Sequence, residues 1–565
     1  MPLSSSKPKT LHRVARGLAV SGLAVVAITA SLGLADDRLA LQELIGKPLH
    51  GLTANQLELF EEGKVLFGLP ILEEDGLGPI LNKSNCRSCH EDAGPGAIAV
   101  THFGELDDKD EFSALPGGSL FQLATVTAGC EEVIPPEANF TTVHLTPGMQ
   151  GYGLVEAIPD AQISIYEDPT DSDGDGISGR VHWVQPAEDP TGPLRVGRFG
   201  WKSIIATVEH FSGDASKNEL GFTNMLFPDE NAPNGDMALL AACDDVADPE
   251  DHPDLEGFTF VDRITHYQRY IAPPPQTPRS GMSGELIFEN IGCAKCHVTD
   301  TYITSNDPSL EGAIRNKPVK PYSDFLLHDM GILGDGLPQG NAFGNEFRTT
   351  PLMGLGNRLI LLHDGRAAGG SFADRVTSAI GWHGPFGEGA DSAAAFDALN
   401  AKDKDALFAF LQSLGRREFD MDSDRDLDVD DFGNFAACYG IGGPFTPDDP
   451  CAINDIDQDG DVDDVDFGYF VKAYDGVIGD CNCDGISDFS EILGGAPDED
   501  GDGVPDDCVI CVGDLNCDNV VNGGDLGLML SFWGACQDCD GDLNGSGTVD
   551  GADIGLMLSN WGSCP

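Results

Sequence analysis

The chain has 565 residues and a formal net charge of −62, with 94 acidic against 32 basic side chains. A charge of that size excludes nucleic acid and anionic membrane surfaces as partners, because both repel it, and leaves divalent cations or basic proteins. The length exceeds what one hydrophobic core supports, and 16 cysteines suit an oxidising compartment unless other chemistry consumes them.

Lys7, Lys9, Arg13 and Arg16, an apolar stretch from Leu18 to Leu34 and the small residue Ala35 read as a secretory signal peptide over residues 1–35. The competing reading is an uncleaved anchor, and both carry the rest across a membrane, to the periplasm or the cell exterior. No later segment is long and apolar enough to span a bilayer. In residues 36–278, "LQELIGKPLHGLTANQLELFEEGKVLFG" has helical spacing with Thr53 as cap, directly before "SNCRSCHEDAG". Cys130 and Cys243 are a candidate disulfide. The Pro-rich "YIAPPPQTPRS" marks a boundary, and residues 279–417 repeat the order: a capped helix in "SGMSGELIFENIG", then "GCAKCHVTD", then loops. An amphipathic helix in "NAKDKDALFAFLQSLGRR" closes this module through Ala406, Leu407, Phe410 and Leu411. From Asp420 onward there are 35 acidic residues against Arg425 and Lys472 alone.

A haem attached through two thioethers needs two cysteines three positions apart, with a histidine behind the second to reach the iron. Cys86, Cys89 and His90, and again Cys293, Cys296 and His297, have that spacing. Zinc would need further nitrogen or sulfur ligands nearby, and a redox dithiol would follow a strand without a trailing histidine. Two such motifs in an exported chain favour covalent haem.

With both motifs placed, "GYGLVEAIPDAQI", "DSDGDGISGR", "VGRFGWKS", "SDFLLHDMG", "FRTTPLMGLGNRLILLHDGRA" and "AIGWHG" complete a resemblance, over residues 45 to 415, to the bacterial di-haem oxidoreductases regarded as thiol oxidoreductases. These are relatives of the di-haem cytochrome c peroxidases. The resemblance implies a mainly α chain with two cytochrome c-like haem domains and long loops, here followed by small calcium-binding loop-helix repeats. It places the second haem's sixth ligand on His383. For the first haem, His102 is the candidate ligand, with His144, Met149 and His210 behind it; an open iron there would bind peroxide or another small oxidant. His328 and His363 recur in the family motifs and read as partners of haem propionates or backbone. Arg348 and Arg366 suit propionates because a guanidinium pairs with a carboxylate in two places. Trp201 is a candidate relay between the haems, or else a core residue, and Glu388 and Glu156 are acid/base candidates by residue type. His102, Trp201 and Glu388 thus form the candidate catalytic set. Asp171, Asp173 and Asp175 with Gly176 match the first half of a calcium loop, or a plain Asp/Gly turn.

The acidic tail repeats the calcium-loop scheme, oxygen ligands at positions 1, 3, 5, 7, 9 and 12 and glycine at 6. In residues 418–512 the matches are Asp420, Asp422, Asp424, Asp428 and Asp431; Asp455, Asp457, Asp459, Asp463 and Asp466; Asp480, Asn482, Asp484, Asp488 and Glu491; and a shorter relative from Asp498. In residues 513–565 they are Asp514, Asn516, Asp518, Asn522 and Asp525, then Asp542, Asn544, Ser546, Asp550 and Asp553. The last two loops run into "LGLMLSFWGAC" and "IGLMLSNWGSC", a duplication that resembles the dockerin type I pair, which binds a cohesin-like partner.

The expectation is therefore an exported, peroxidase-like di-haem c-type oxidoreductase. It draws electrons from a small redox protein or small-molecule donor at the second haem and passes them to an oxidant at the first. The alternative is a non-catalytic di-haem electron carrier docked to an extracellular assembly by its calcium-binding tail. Neither reading involves nucleic acid, or a membrane beyond the signal segment.

Overall fold

Thr53 ends an extended segment and opens the helix Ala54–Gly68. Its side chain accepts from the Gln56 N–H at 3.3 Å and Gln56 returns a bond to the Thr53 N–H, so two otherwise unpaired amides are satisfied reciprocally. The computed structural model describes residues 41–90, 96, 98–109, 111–476, 478–482, 486–506, 508, 512–516, 518, 520–536, 539 and 541–563. The signal segment and two residues of the third tail loop, Asp484 and Gly485, lie outside the described residues. Among those described, no helix is long and apolar enough to cross a membrane.

Two helix crossings organise the body. Ala54–Gly68 meets Phe260–Arg269 at Gly63, where a Cβ would lie 2.4 Å from the Arg263 carbonyl oxygen. Tyr267 then packs 5.0 Å from Phe60 and 5.2 Å from Phe67, ring centre to ring centre. Ser283–Asn290 meets Ala401–Ser413 in the same way at Gly284, whose Cβ would lie 2.0 Å from the Ala406 carbonyl oxygen, and Phe288 packs on Phe410 at 5.5 Å. Each crossing feeds one CxxCH segment, and each heads its own buried apolar cluster.

The expected mainly α class is not what the chain adopts. Helix accounts for 32% and strand for 12%, so strand is too frequent for that class, and no separate cytochrome c-like haem domains stand out. The strands form seven two-stranded ladders and one four-stranded sheet among the described residues. In that sheet Ala99–Leu106 pairs antiparallel with Phe140–Leu145, from Ala99 opposite Leu145 to Gly104 opposite Phe140. Both segments are rich in β-branched and aromatic residues, which favour a pleated surface. Helical spacing was the only periodicity that singled out elements in the sequence, and the long Gly/Pro-rich loops between helices pair locally as short ladders.

The tail builds small cores of its own. Phe419, Phe432, Phe435, Phe470 and Phe489 pack together, Phe432 stacking on Phe489 at 3.7 Å. Further on, Val521, Met529, Val549 and Met557 form another cluster. There the strand Gly534–Ala535 after one helix pairs with Thr548–Val549 of the next loop, and Val520–Val521 pairs with Gly562–Ser563. Disulfides join Cys130 to Cys243, Cys438 to Cys451, Cys481 to Cys508 and Cys536 to Cys539.

Candidate functional site

The four cysteines of the two CxxCH segments are the ones left as free thiols among the described residues. In the second segment, Gly292 at φ 88° turns the chain out of its helix into the 3-10 turn Cys293–Lys295. A glycine suits that left-handed position because it has no Cβ to clash. His297 follows, with its backbone N–H on the Cys293 carbonyl at 3.0 Å. Burial pushes His297 down to about 4, so the imidazole is neutral. Its Nδ1 lies 3.0 Å from the Tyr322 carbonyl; a carbonyl only accepts, so Nδ1 carries the proton and Nε2 keeps a free lone pair.

His383 ends the helix Phe372–His383 and repeats this chemistry. Its Nδ1 donates to the Ala379 carbonyl at 2.8 Å, burial lowers its pKa, and Nε2 is again free to ligate. His297 and His383 line one cavity of about 910 Å³ with Cys293 and Cys296, and Phe288, Val376, Ile380, Leu407 and Leu411 give it apolar walls. A ring N–H held by a backbone carbonyl, as in both histidines, is the usual support of a metal-bound imidazole.

Two guanidiniums, of the buried Arg348 and the half-buried Arg358, face the same space. Arg348 donates to the Gly200 carbonyl at 2.8 Å, and Arg358 to the carbonyls of Pro351 and Met353 at 2.9 Å each. Burial pushes both down to about 10, and neither meets a carboxylate among the described residues. A buried cation in that position calls for an anion in the cavity. Arg358 was not singled out in the sequence, although it lies inside the quoted "FRTTPLMGLGNRLILLHDGRA". Arg366 instead donates to Asp364 at 2.6 Å and lies over the Trp382 ring.

The remaining candidates fall in several places. His328 lies between carboxylates, Nε2 3.0 Å from Asp324 and Nδ1 2.9 Å from Glu388, with the Cys296 sulfur 3.8 Å away. Burial opposes its protonation, but the Cys296 sulfur and the Asp324 carboxylate beside it hold it well above the imidazole range. Glu388 takes a second hydrogen bond from Ser178, so it stands beside the second CxxCH, not the first. His102 belongs to the four-stranded sheet, with its Nδ1 3.4 Å from the Ser119 hydroxyl and its ring 4.9 Å from His144. His144 is bound by Asp335 at 2.6 Å, and Asp335 by Lys202 at 2.9 Å. His363 stacks on Phe347 at 4.2 Å. Trp201 donates to the Leu145 carbonyl at 2.9 Å and meets His363 edge-on; both line the cavity. Glu156 pairs with Arg269 at 2.6 Å, and His210 accepts from the Ala187 N–H.

The first CxxCH also offers a neutral imidazole. Burial pushes His90 down to about 4, and Cys86 and Cys89 up to about 12 and about 11. The donor set matches that of the second segment, and Phe67 covers His90 at 6.1 Å.

Asp171, Asp173 and Asp175 bring carboxylate oxygens within 4.8 Å of one another, while Lys295, between the second pair of cysteines, binds Asp175 at 3.2 Å. In the tail, Asp420, Asp422 and Asp431 converge likewise. Position 9 of four loops caps the helix that follows and position 12 is its third residue, so Asp428 and Asp431, Asp463 and Asp466, Asn522 and Asp525, and Asp550 and Asp553 form capping boxes. The four position-12 carboxylates are buried, and each also accepts an N–H from the start of its loop, as Asp431 does from Met421 at 2.8 Å.

Comparison with known proteins bears on part of the chain. The family model described as "Di-haem oxidoreductase, putative peroxidase" matches residues 141–414, a stretch that includes the second CxxCH, His383 and Arg348 but neither the first CxxCH nor the tail. Over that stretch the chain is similar to a di-haem oxidoreductase family. Among solved structures, hydrazine synthase of Kuenenia stuttgartiensis, pressurised with xenon, aligns over 72% of this chain and 100% of its own at 14% identity, with a TM-score of 0.28. No curated protein matches the sequence.

Proposed function

We propose that the chain is an exported di-haem oxidoreductase, with one haem attached through Cys86 and Cys89 and ligated by His90, and the other attached through Cys293 and Cys296 and ligated by His297 and His383. The haems supply one-electron chemistry, drawn from a donor at the second site and delivered to an oxidant such as peroxide at the first. One observation carries the reading: two neutral imidazoles, each with Nδ1–H committed to a carbonyl and Nε2 free, face one apolar cavity beside two free cysteines.

The chain's own groups have definable tasks. Arg348 and Arg358 would bind the cofactor's carboxylates in the cavity. Val376, Ile380, Leu407 and Leu411 exclude water from it. Asp324, His328 and Glu388 balance charge beside Cys296. Trp201 and His363 connect the cavity wall to Leu145, where the strand Phe140–Leu145 ends two residues before Pro147, a main-chain neighbour of His90. For the tail the reading is calcium in the aspartate loops, with the duplicated loop-helix pair docking to a cohesin-like protein outside the cytoplasm. Asp420, 2% exposed with Oδ1 free of any hydrogen bond, supports a cation there, because a buried bare carboxylate is costly.

The test is production of the full chain alongside a haem-attachment machinery. Expected are two covalent haems by mass and pyridine haemochrome, one low-spin species assigned to the His297/His383 site, and a second species that changes on adding peroxide. Haem that extracts into acid acetone, or no haem at all, would sink the covalent reading. Two low-spin haems indifferent to peroxide would leave electron carriage without catalysis.

A further inference from the structure

Outside both CxxCH segments and the tail, three carboxylates converge from two loops. Glu230 lies in the loop after the helix Val208–Leu220, and Asp248 and Glu250 lie in the loop after the helix Met237–Cys243. One oxygen of each lies within 4.8 Å of the others. The charges that bear on Glu230 are Glu250, Asp248 and Asp244, all acidic. Burial first, and then this repulsion, push Glu230 up to about 9 and Glu250 up to about 7. The local donors do not satisfy the cluster. Thr223 has one hydroxyl proton, yet its Oγ1 lies against Glu250 Oε2 and 3.1 Å from Asp248 Oδ1, so one of the two goes without it. Glu230 Oε1 accepts the Asn231 N–H at 2.7 Å, whereas its Oε2 is buried with no hydrogen-bond partner among the described residues. A bare carboxylate oxygen in the interior is costly unless a cation meets it.

We propose that Glu230, Asp248 and Glu250 bind one calcium ion, at a site separate from the aspartate loops, and that the ion ties the 221–231 and 244–251 loops to the segment leading into the first CxxCH. The donors are oxygen alone, which selects a hard cation over zinc or iron. With calcium–oxygen bonds of about 2.4 Å, two ligands of one ion lie at most about 4.8 Å apart, a limit the three oxygens meet. Magnesium, at about 2.1 Å, needs a tighter and strictly octahedral set. Asp248 is exposed, which leaves a side open for water ligands. The tie to the first CxxCH runs through Gly76 at φ 104°, ahead of Cys86, where a Cβ would lie 2.2 Å from Glu250 Cγ. Gly78 continues it, its N–H on the Leu220 carbonyl at 3.1 Å. The inference rests on neither the haem reading nor the tail reading.

The experiment follows amide hydrogen exchange of the full chain, stripped with chelator and then titrated with calcium. Expected is protection of 221–231 and 244–251 that appears with the ion, exchange slowing about tenfold once free calcium is about ten times its dissociation constant. Glu230→Gln should abolish that protection. Asp248→Asn, at the exposed member, should move its midpoint to higher calcium. Protection of the helix Phe260–Arg269 in the same samples shows that each variant is folded. Exchange in the two loops that is indifferent to calcium, or protection that survives Glu230→Gln, overturns the proposal. Protection that follows pH and not calcium also overturns it, assigning a shared proton to Glu230 and Glu250. Equal protection by magnesium at the same concentration overturns the choice of calcium.

Discussion

The two CxxCH segments have the same local design and different surroundings. Each follows a helix pinned by a glycine crossing, and burial holds each histidine neutral at about 4. At the second, His297 donates to Tyr322, His383 faces the same cavity, and the nearby acid Glu388 is held below the usual carboxylate range by His328 and Ser178 despite burial. At the first, the main chain beside His90 is that of Pro147, no second imidazole neighbours its ring among the described residues, and the nearby acid Glu219 is pushed up to about 7 by burial. On the proposed reading, five adjacent residues fix where a haem would be attached. What would face its iron, and what charge surrounds it, comes from elements dozens of residues away.

The comparison breaks most sharply at His383. On the proposed di-haem reading, His383→Ala should convert the second site from a low-spin species to one that binds cyanide, with haem content unchanged, because attachment would depend on Cys293 and Cys296. Spectra of the ferric protein before and after cyanide check this, and a variant whose low-spin signal persists removes His383 as a ligand. Next come the crossings. Gly284→Ala places a Cβ 2.0 Å from a carbonyl oxygen and Gly63→Ala one at 2.4 Å, so both should destabilise by about 3 kcal/mol, Gly284→Ala the more, as overpacking of fixed backbone does. Denaturant unfolding of both variants measures the order.

Glu219 sharpens the contrast in charge. Burial raises its pKa from the ordinary 4.5 of a glutamate to about 7 in the folded chain, so between those values the folded state holds the extra proton. Stability is then unaffected by this group below pH 4.5, falls as pH rises to 7 and is flat above. The full loss is at most about 3 kcal/mol for a shift of this size. Glu219→Gln, which can still accept from Asn82 (2.7 Å to Glu219 Oε2), should flatten that slope and stabilise the protein at pH 8. Unfolding at pH 5 and pH 8 gives the answer, and an unaltered slope would show that Glu219 does not titrate in this window.

Local chemistry made some of this legible. Thr53 before a helix, two cysteines three apart with a trailing histidine, and Asp or Asn at loop position 9 with Asp at position 12, which are also the cap and third residue of a helix, are all short-range patterns. His383 came from the family resemblance. Tertiary placement was not legible: Glu388 and Ser178 are 210 positions apart yet bonded, His102 turns to His144 across a sheet that helical periodicity could not reveal, and Arg358 resembles any other arginine until its burial is seen.

The smallest effect tests the link between the two regions. Trp201 lines the cavity of the second segment, while its Nε1 donates to Leu145 at 2.9 Å, two residues before Pro147, the main-chain neighbour of His90. Trp201→Phe keeps an aromatic ring and removes only the N–H, so the Leu145 carbonyl loses one partner at a cost of about 1 kcal/mol. Haem content and both axial ligand sets should be unchanged. If Trp201 also carries electrons between the two sites, equilibration after flash reduction of one haem should slow in the variant while the potentials stay fixed. If the indole only braces the strand, unfolding will move by that single hydrogen bond and the equilibration rate will not.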